Sequence, residues 1–76
     1  MKKGDTVVLK SDPKWKSLSR YKGWGITPDT YLTIKSIRRI SNYDGFGPTN
    51  ELLFTTGMLA PEFDFTFPSK LHKVLE

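Results

Sequence analysis

The hydrophobic pattern is clearest in residues 30–40, the longest run without Gly or Pro that is rich in β-branched and aromatic residues. Such residues fit the pleated surface of a sheet better than a helix. Leu32 and Ile34 point to one face of a strand, but Ile37 follows three positions later and breaks the alternation. A helix also spaces apolar residues by three, yet the neighbouring β-formers favour a long, bent strand. We therefore predict a β-bulge near residues 35–36 that restores the inward phase.

Four shorter segments also have strand patterns. They are residues 6–10, 51–55, 58–60 and 72–75. Pro61 interrupts the third of them, which indicates a sheet edge or a bulge. Phe63, Phe65 and Phe67 then alternate with polar residues, a period of two that predicts a further extended segment. Residues 68–71 are predicted to form one short 3₁₀ turn before the last strand.

Two connections are rich in candidate binding residues. Residues 14–29 form a first loop that is long for a small domain, and such loops are usually functional or carry structure of their own. Within it, residues 17–22 are predicted to form one helical turn. Residues 41–50 are rich in Gly, Asn and Pro, and they predict a hairpin tip that exposes Tyr43 and Phe46.

Length and composition limit the classes of protein. The 76 residues indicate one domain, residues 1–76. The chain has no cysteine, one histidine and no Asp-rich calcium loop, so we expect no disulfide, no metal site and no cofactor. No apolar run reaches the length of a signal-peptide core or a membrane span. We therefore expect a cytoplasmic protein that does not bind membranes.

The net charge of +4 is unevenly distributed. Residues 1–43 contain ten Lys and Arg against three Asp, whereas residues 44–76 contain two Lys against five acidic residues. A basic half attracts phosphate groups or an acidic protein surface. The alternative is an ordinary solvated surface, which a net charge of this size also allows.

The order of these elements resembles the SH3-like small β-barrel superfamily over nearly the whole chain. The resemblance rests on the Gly-Asp-Thr-Val-Val-Leu sequence of residues 4–9 and on the Phe-Pro-Ser-Lys-Leu sequence of residues 67–71. It implies an all-β fold, a single five-stranded barrel with a long first loop and a short 3₁₀ turn before the last strand. The first loop is basic where signalling SH3 domains carry an acidic cluster, which argues against binding of proline-rich peptides.

No combination of residues predicts an enzyme. His72, the single histidine, lies in the predicted last strand, and neither Ser11 nor Ser69 lies in a strained nucleophile turn. Glu62 and Asp64 lie two positions apart, but paired carboxylates need a cleft to act as acid and base. We expect these two on a solvated sheet edge, in a protein without a small-molecule substrate.

Basic and aromatic residues are interleaved in the first loop, and both types recur on the bent strand and at the hairpin tip. Lys and Arg pair with phosphates, while Trp and Tyr stack on unpaired bases. The chain is therefore expected to be a nucleic-acid-binding module for RNA or DNA. The candidate binding residues are Lys14, Trp15, Lys16, Arg20, Tyr21, Lys22, Trp24, Lys35, Arg38, Arg39, Tyr43 and Phe46.

The alternative is a small adaptor or inhibitor, of the kind that phages and mobile elements encode, that binds an acidic surface of a larger protein. Geometry separates the two hypotheses. Basic residues that converge on one face with exposed aromatic rings favour nucleic acid, whereas a large exposed apolar patch favours a protein. One of Trp15 and Trp24 is expected to belong to the core.

Overall fold

The computed structural model describes residues 1–68, which contain five strands, one α-helix and one 3₁₀ helix. The elements are β1 (Thr6–Leu9), α1 (Leu18–Gly23), β2 (Leu32–Ile40), β3 (Thr49–Phe54), β4 (Leu59–Pro61), the 3₁₀ helix (Glu62–Asp64) and β5 (Phe65–Thr66). The strands form one antiparallel sheet in the order β4-β3-β2-β1-β5. The described part of the chain is therefore all-β with one small helix, as expected.

The bent strand β2 pairs with two neighbours along its length, first with β1 and then with β3. The register of the β2–β3 pairing shifts between Ile34 and Ser36, which confirms the bulge predicted at residues 35–36. After the bulge, Ile37 lies opposite Leu52 and packs against the core. The extra residue thus returns the apolar side chains of the strand to the inner face.

Alternate residues of β1, β2 and β3 point into one hydrophobic core. Its buried members are Val7, Leu9, Tyr21, Ile26, Leu32, Ile34, Leu52, Phe54, Ala60 and Phe65. Burial of Leu52 and Phe54 confirms the inward face predicted for β3. Tyr21 and Ile26 come from the first loop, so this connection contributes side chains to the core.

The extended segment predicted over residues 63–67 is confirmed only at Phe65–Thr66. Glu62–Asp64 form the 3₁₀ helix, and only the two residues of β5 are extended and paired. Phe63 lies in the 3₁₀ helix, which has three residues per turn, so it does not alternate with Phe65 as in a strand. Phe65 is buried, whereas Phe67 is exposed. Asp64, expected on a solvated edge, is fully buried.

The predicted last strand, residues 72–75, lies outside the described residues, as does the 3₁₀ turn at residues 68–71 except for Pro68. Within residues 1–68, β5 pairs with β1, and Phe65 lies opposite Leu9. The described pairings place β4 and β5 at the two ends of the sheet and do not close it into a barrel. None of the described helices is long and apolar enough to span a membrane.

Candidate functional site

One buried carboxylate attaches the first loop to the rest of the molecule. Asp64, at the end of the 3₁₀ helix, is 0% exposed. The backbone N–H of Lys14 donates to its Oδ1 at 2.7 Å. The N–H of Trp15 donates to Oδ2 at 3.1 Å, and the Tyr21 hydroxyl donates to the same oxygen at 2.7 Å. Burying a carboxylate is costly unless such donors replace water, so these bonds fix the backbone at Lys14 and Trp15.

The short helix α1 positions the next two aromatic residues. Ser17 is its N-cap and accepts a hydrogen bond from the Arg20 N–H at 3.2 Å, which confirms the predicted helical turn. The helix buries Tyr21, which we predicted to bind the ligand and which lies in the core instead, and its C-cap is Trp24. Gly25 follows with a φ of 81°, a left-handed conformation that suits glycine. The chain turns there and leaves the Trp24 side chain exposed.

Five rings form a continuous series from the first loop to the hairpin tip, here named the aromatic row. The centroid of Trp24 lies 6.2 Å from that of Trp15, which lies 5.6 Å from that of Tyr43. The Phe63 ring lies 6.5 Å from Tyr43 and 5.4 Å from Phe46. All four contacts are tilted or edge-to-face, as aromatic pairs prefer. Trp24 and Phe46, at the two ends, are 46% and 49% exposed.

The middle of the aromatic row is less accessible than its ends. Tyr43, which we predicted to be exposed at the hairpin tip, is buried because its ring lies between those of Trp15 and Phe63. Trp15 packs against the core, and its Nε1 donates to Oδ2 of Asp44 at 3.1 Å. Trp15 is therefore the tryptophan at the margin of the core, and Trp24 is the exposed one.

The pKa values of both buried tyrosines lie above the usual value for a phenol. Burial is the main cause of the raised pKa of Tyr21, and the hydrogen bond to Asp64 is the next. Burial also raises the pKa of Tyr43, with the carboxylates of Glu51 and Asp44 contributing. Both side chains therefore remain neutral at physiological pH.

A groove of about 550 Å³, here named the tryptophan groove, lies at the Trp24 end of the aromatic row. Its lining includes Trp15 and Trp24 from the first loop, with Met58 and Leu59 from the β3–β4 connection and the start of β4. None of the described residues that line it is charged. Apolar and aromatic walls of this kind accept a flat ring or an apolar side chain.

Basic side chains accompany the aromatic residues of the first loop. The Nζ atom of Lys16 lies 5.0 Å from the centroid of the Trp15 ring, a cation–π geometry. Arg20 and Lys22 are exposed in the last turn of α1, whose first turn has no acidic residue. Lys14, which precedes Trp15, is also exposed. The predicted cations of this loop thus remain accessible.

The predicted cations of β2 are divided between two faces of the sheet. Arg38 lies opposite Glu51, and its Nη2 atom pairs with the carboxylate at 2.8 Å. Arg39 follows in the strand and lies opposite Asn50, so its side chain points to the other face. Lys35 is exposed at the bulge. The structure therefore brings the first-loop aromatic residues together with the hairpin tip, but it does not gather these three cations into one patch.

A second groove, of about 390 Å³, is here named the phenylalanine groove. It is lined by Lys10, Asp12, Lys14, Phe46 and Phe63. Lys10 and Phe63 are not among the binding residues predicted from the sequence. The alternation of Phe63 with polar residues assigned it to a strand, and its aromatic neighbours Tyr43 and Phe46 come from a distant part of the chain.

Comparisons of the chain with protein-family models, with characterised proteins and with solved structures give no match. Within residues 1–68, no three His, Asp or Glu side chains are grouped so that they hold a metal ion.

Proposed function

We propose that the chain is a non-enzymatic module that binds single-stranded RNA or DNA at the tryptophan groove. The observation that carries the proposal is the exposed Trp24 ring, 6.2 Å from Trp15, beside a groove without charged lining residues. Stacking of a base on such a ring contributes about 1–3 kcal/mol and tolerates every base. Unpaired bases, whose faces are free to stack, are therefore the proposed ligand.

The phosphate contacts are assigned to the basic residues of the first loop. They are Lys14, Lys16, Arg20 and Lys22. These residues flank the two tryptophans in the chain, and Lys16 already lies over the Trp15 ring. Arg38 is less suited to the role because Glu51 balances its charge. Each phosphate contact releases counterions, so the affinity of this surface falls as salt rises.

We also propose that the sheet closes into an SH3-like barrel and that the protein acts in the cytoplasm. The order β4-β3-β2-β1-β5 supports the barrel, since β2 pairs with β1 before its bulge and with β3 after it. A strand bent in this way is able to belong to both halves of a small barrel. The basic first loop supports a location in the cytoplasm, because that compartment contains nucleic acid.

The test is a binding titration with fluorescently labelled oligo(dT) and oligo(U) of about ten nucleotides at low and high salt. Trp24→Ala is expected to weaken binding about tenfold, because it removes one stacking ring. Tyr31→Ala is the matched control, since Tyr31 is an exposed ring that does not line the tryptophan groove. Replacing Arg20 and Lys22 together by Ala is expected to reduce the slope of log affinity against log salt, because phosphate contacts are lost. Absence of binding at low salt, or equal affinities for Trp24→Ala and wild type, contradicts the proposal.

A second candidate function is that of an adaptor or inhibitor that binds a larger protein. One observation favours it, the exposure of Leu59 beside Met58 and Trp24, which makes the tryptophan groove an apolar surface. Such binding buries apolar area and depends little on salt. Binding of a protein partner that persists at high salt would favour this function over nucleic-acid binding. That binding is then expected to be lost with Leu59→Ser and to be unaffected by removal of Arg20 and Lys22.

A further inference from the structure

We propose that the phenylalanine groove is a second subsite for the same nucleic-acid strand, an inference that rests on the proposed function. One base stacks on the exposed ring of Phe46, and Lys10 and Lys14 contact the adjacent phosphates. The tryptophan groove then takes one part of the strand and the phenylalanine groove another. The subsite has both parts that such binding needs, since an exposed ring and two cations line one depression of about 390 Å³.

The two grooves flank the same stretch of backbone. Lys14 lines the phenylalanine groove, and the next residue, Trp15, lines the tryptophan groove. Asp64 accepts hydrogen bonds from the N–H groups of both residues. Neighbouring Cα atoms are only about 3.8 Å apart, so both grooves reach the same point of the backbone, which one buried carboxylate holds.

The hairpin tip holds Phe46 in place before any ligand binds. The N–H of Tyr43 donates to the carbonyl of Gly47 at 2.8 Å, and the N–H of Phe46 donates to the carbonyl of Tyr43 at 2.9 Å. The Phe46 ring also packs on Phe63 with centroids 5.4 Å apart. A ring ordered in this way loses little conformational entropy when a base stacks on its exposed face.

The carboxylate of Asp12 also lines the phenylalanine groove and bears on the kind of base that fits. A carboxylate beside a base accepts a hydrogen bond from an exocyclic amino group, such as that of cytosine. Oligo(dC) is therefore the suitable probe for this subsite.

The experiment measures the affinity of a short and a long strand for the wild-type protein and for variants that keep both tryptophans. Intrinsic tryptophan fluorescence is titrated with oligo(dC) of roughly three and roughly ten nucleotides, lengths chosen to fill one groove or both. Phe46→Ala is expected to weaken binding of the long strand about tenfold and binding of the short strand less, because the short strand still binds in the tryptophan groove. Phe67→Ala is the matched control, because Phe67 is 48% exposed but lies outside both grooves.

The salt dependence gives an independent measure. Replacing Lys10, which is not among the cations assigned to the first site, by Ala is expected to reduce the slope of log affinity against log salt for the long strand by roughly 0.7, the effect of one lost phosphate contact. Equal affinities of Phe46→Ala and wild type for the long strand overturn the second subsite. The proposed function then still stands if Trp24→Ala weakens both strands. If the wild-type protein binds neither strand at low salt, the proposed function and this inference are both wrong.

Discussion

The first loop and the β2–β3 hairpin are held in place by different means. The hairpin is a backbone ladder between adjacent strands, and its inward residues Ile37 and Leu52 lie directly opposite each other. The first loop has one short helix, and its backbone at Lys14 and Trp15 is fixed by Asp64, which lies far along the chain. Local pairing therefore determines the hairpin, whereas a single distant side chain determines much of the loop.

This difference matters for the candidate site because both grooves depend on the loop. Trp15 lines the tryptophan groove and Lys14 the phenylalanine groove, and Asp64 binds the backbone of both residues. The hairpin contributes Phe46 and the buried Tyr43. Substitution of Asp64 is therefore expected to disturb the site far more than substitution of a side-chain pair in the hairpin.

The largest effect is expected from Asp64→Ala. It leaves the part-buried N–H groups of Lys14 and Trp15 and the buried Tyr21 hydroxyl without their acceptor, and a fully buried group left unpaired costs about 1–3 kcal/mol. We expect a loss of at least about 3 kcal/mol in the free energy of unfolding, measured by urea denaturation, with a change in the fluorescence of Trp15.

Two further variants control this prediction. Asp12→Ala removes an exposed carboxylate and is expected to change stability by less than about 0.5 kcal/mol. Asp64→Asn keeps the shape and one acceptor oxygen, so it is expected to fold with a smaller loss. A cost of Asp64→Ala below about 1 kcal/mol would contradict the role assigned to this carboxylate.

The hairpin could be predicted from sequence because its signals are local. The phase slip between Ile34 and Ile37 indicated the bulge, which the register shift confirms. The helical turn predicted for residues 17–22 is likewise local, since the Arg20 N–H donates to Oγ of Ser17 at 3.2 Å. In each case the residues that decide the conformation lie within a few positions of one another.

The anchoring of the loop could not be predicted in the same way. Asp64 lies 50 positions from Lys14 and 43 from Tyr21, and no period or spacing links them. The alternation of Phe63 and Phe65 with polar residues resembled a strand, although the 3₁₀ helix turns Asp64 inward. A charged residue between two apolar ones indicates a solvated position unless its distant donors are known.

The candidate site was predicted in part for the same reason. Trp15, Tyr21 and Trp24 lie close together in the chain, and the structure packs their rings against one another. Tyr43 was expected to be exposed, because nothing near it in the sequence shows that Trp15 and Phe63 cover its ring. Whether a residue belongs to the site is thus predictable when its neighbours in space come from the same loop, and poorly predictable when they come from another loop.

A smaller effect is expected from Tyr21→Phe, which removes one donor to Asp64 and keeps the ring in the core. We expect a loss of about 1.5–3 kcal/mol at neutral pH, because the lost bond is to a carboxylate.

The pH dependence of this variant gives a second measure. The pKa of Tyr21 is raised in the folded state, so the unfolded chain loses its phenolic proton first as the pH rises above about 10. This contribution to stability is complete below that pH and is lost above it. Tyr21→Phe is therefore expected to lose less stability than wild type between about pH 9 and pH 11, with a remaining slope from Tyr43. Equal slopes for the two proteins would argue against a buried, hydrogen-bonded Tyr21.

The smallest effect is expected from Arg38→Ala in the hairpin. Arg38 and Glu51 form an ion pair at 2.8 Å, in which the Arg38 side chain is 72% exposed and the Glu51 side chain is 13% exposed. Because the cation faces solvent, we expect the pair to contribute about 0.5 kcal/mol. Arg39→Ala, at the next position of β2, is the control. Both variants are expected to unfold within about 0.5 kcal/mol of wild type, because the backbone ladder and the inward residues hold the hairpin. A loss above about 2 kcal/mol for Arg38→Ala alone would mean that the hairpin, like the first loop, depends on a single side-chain contact.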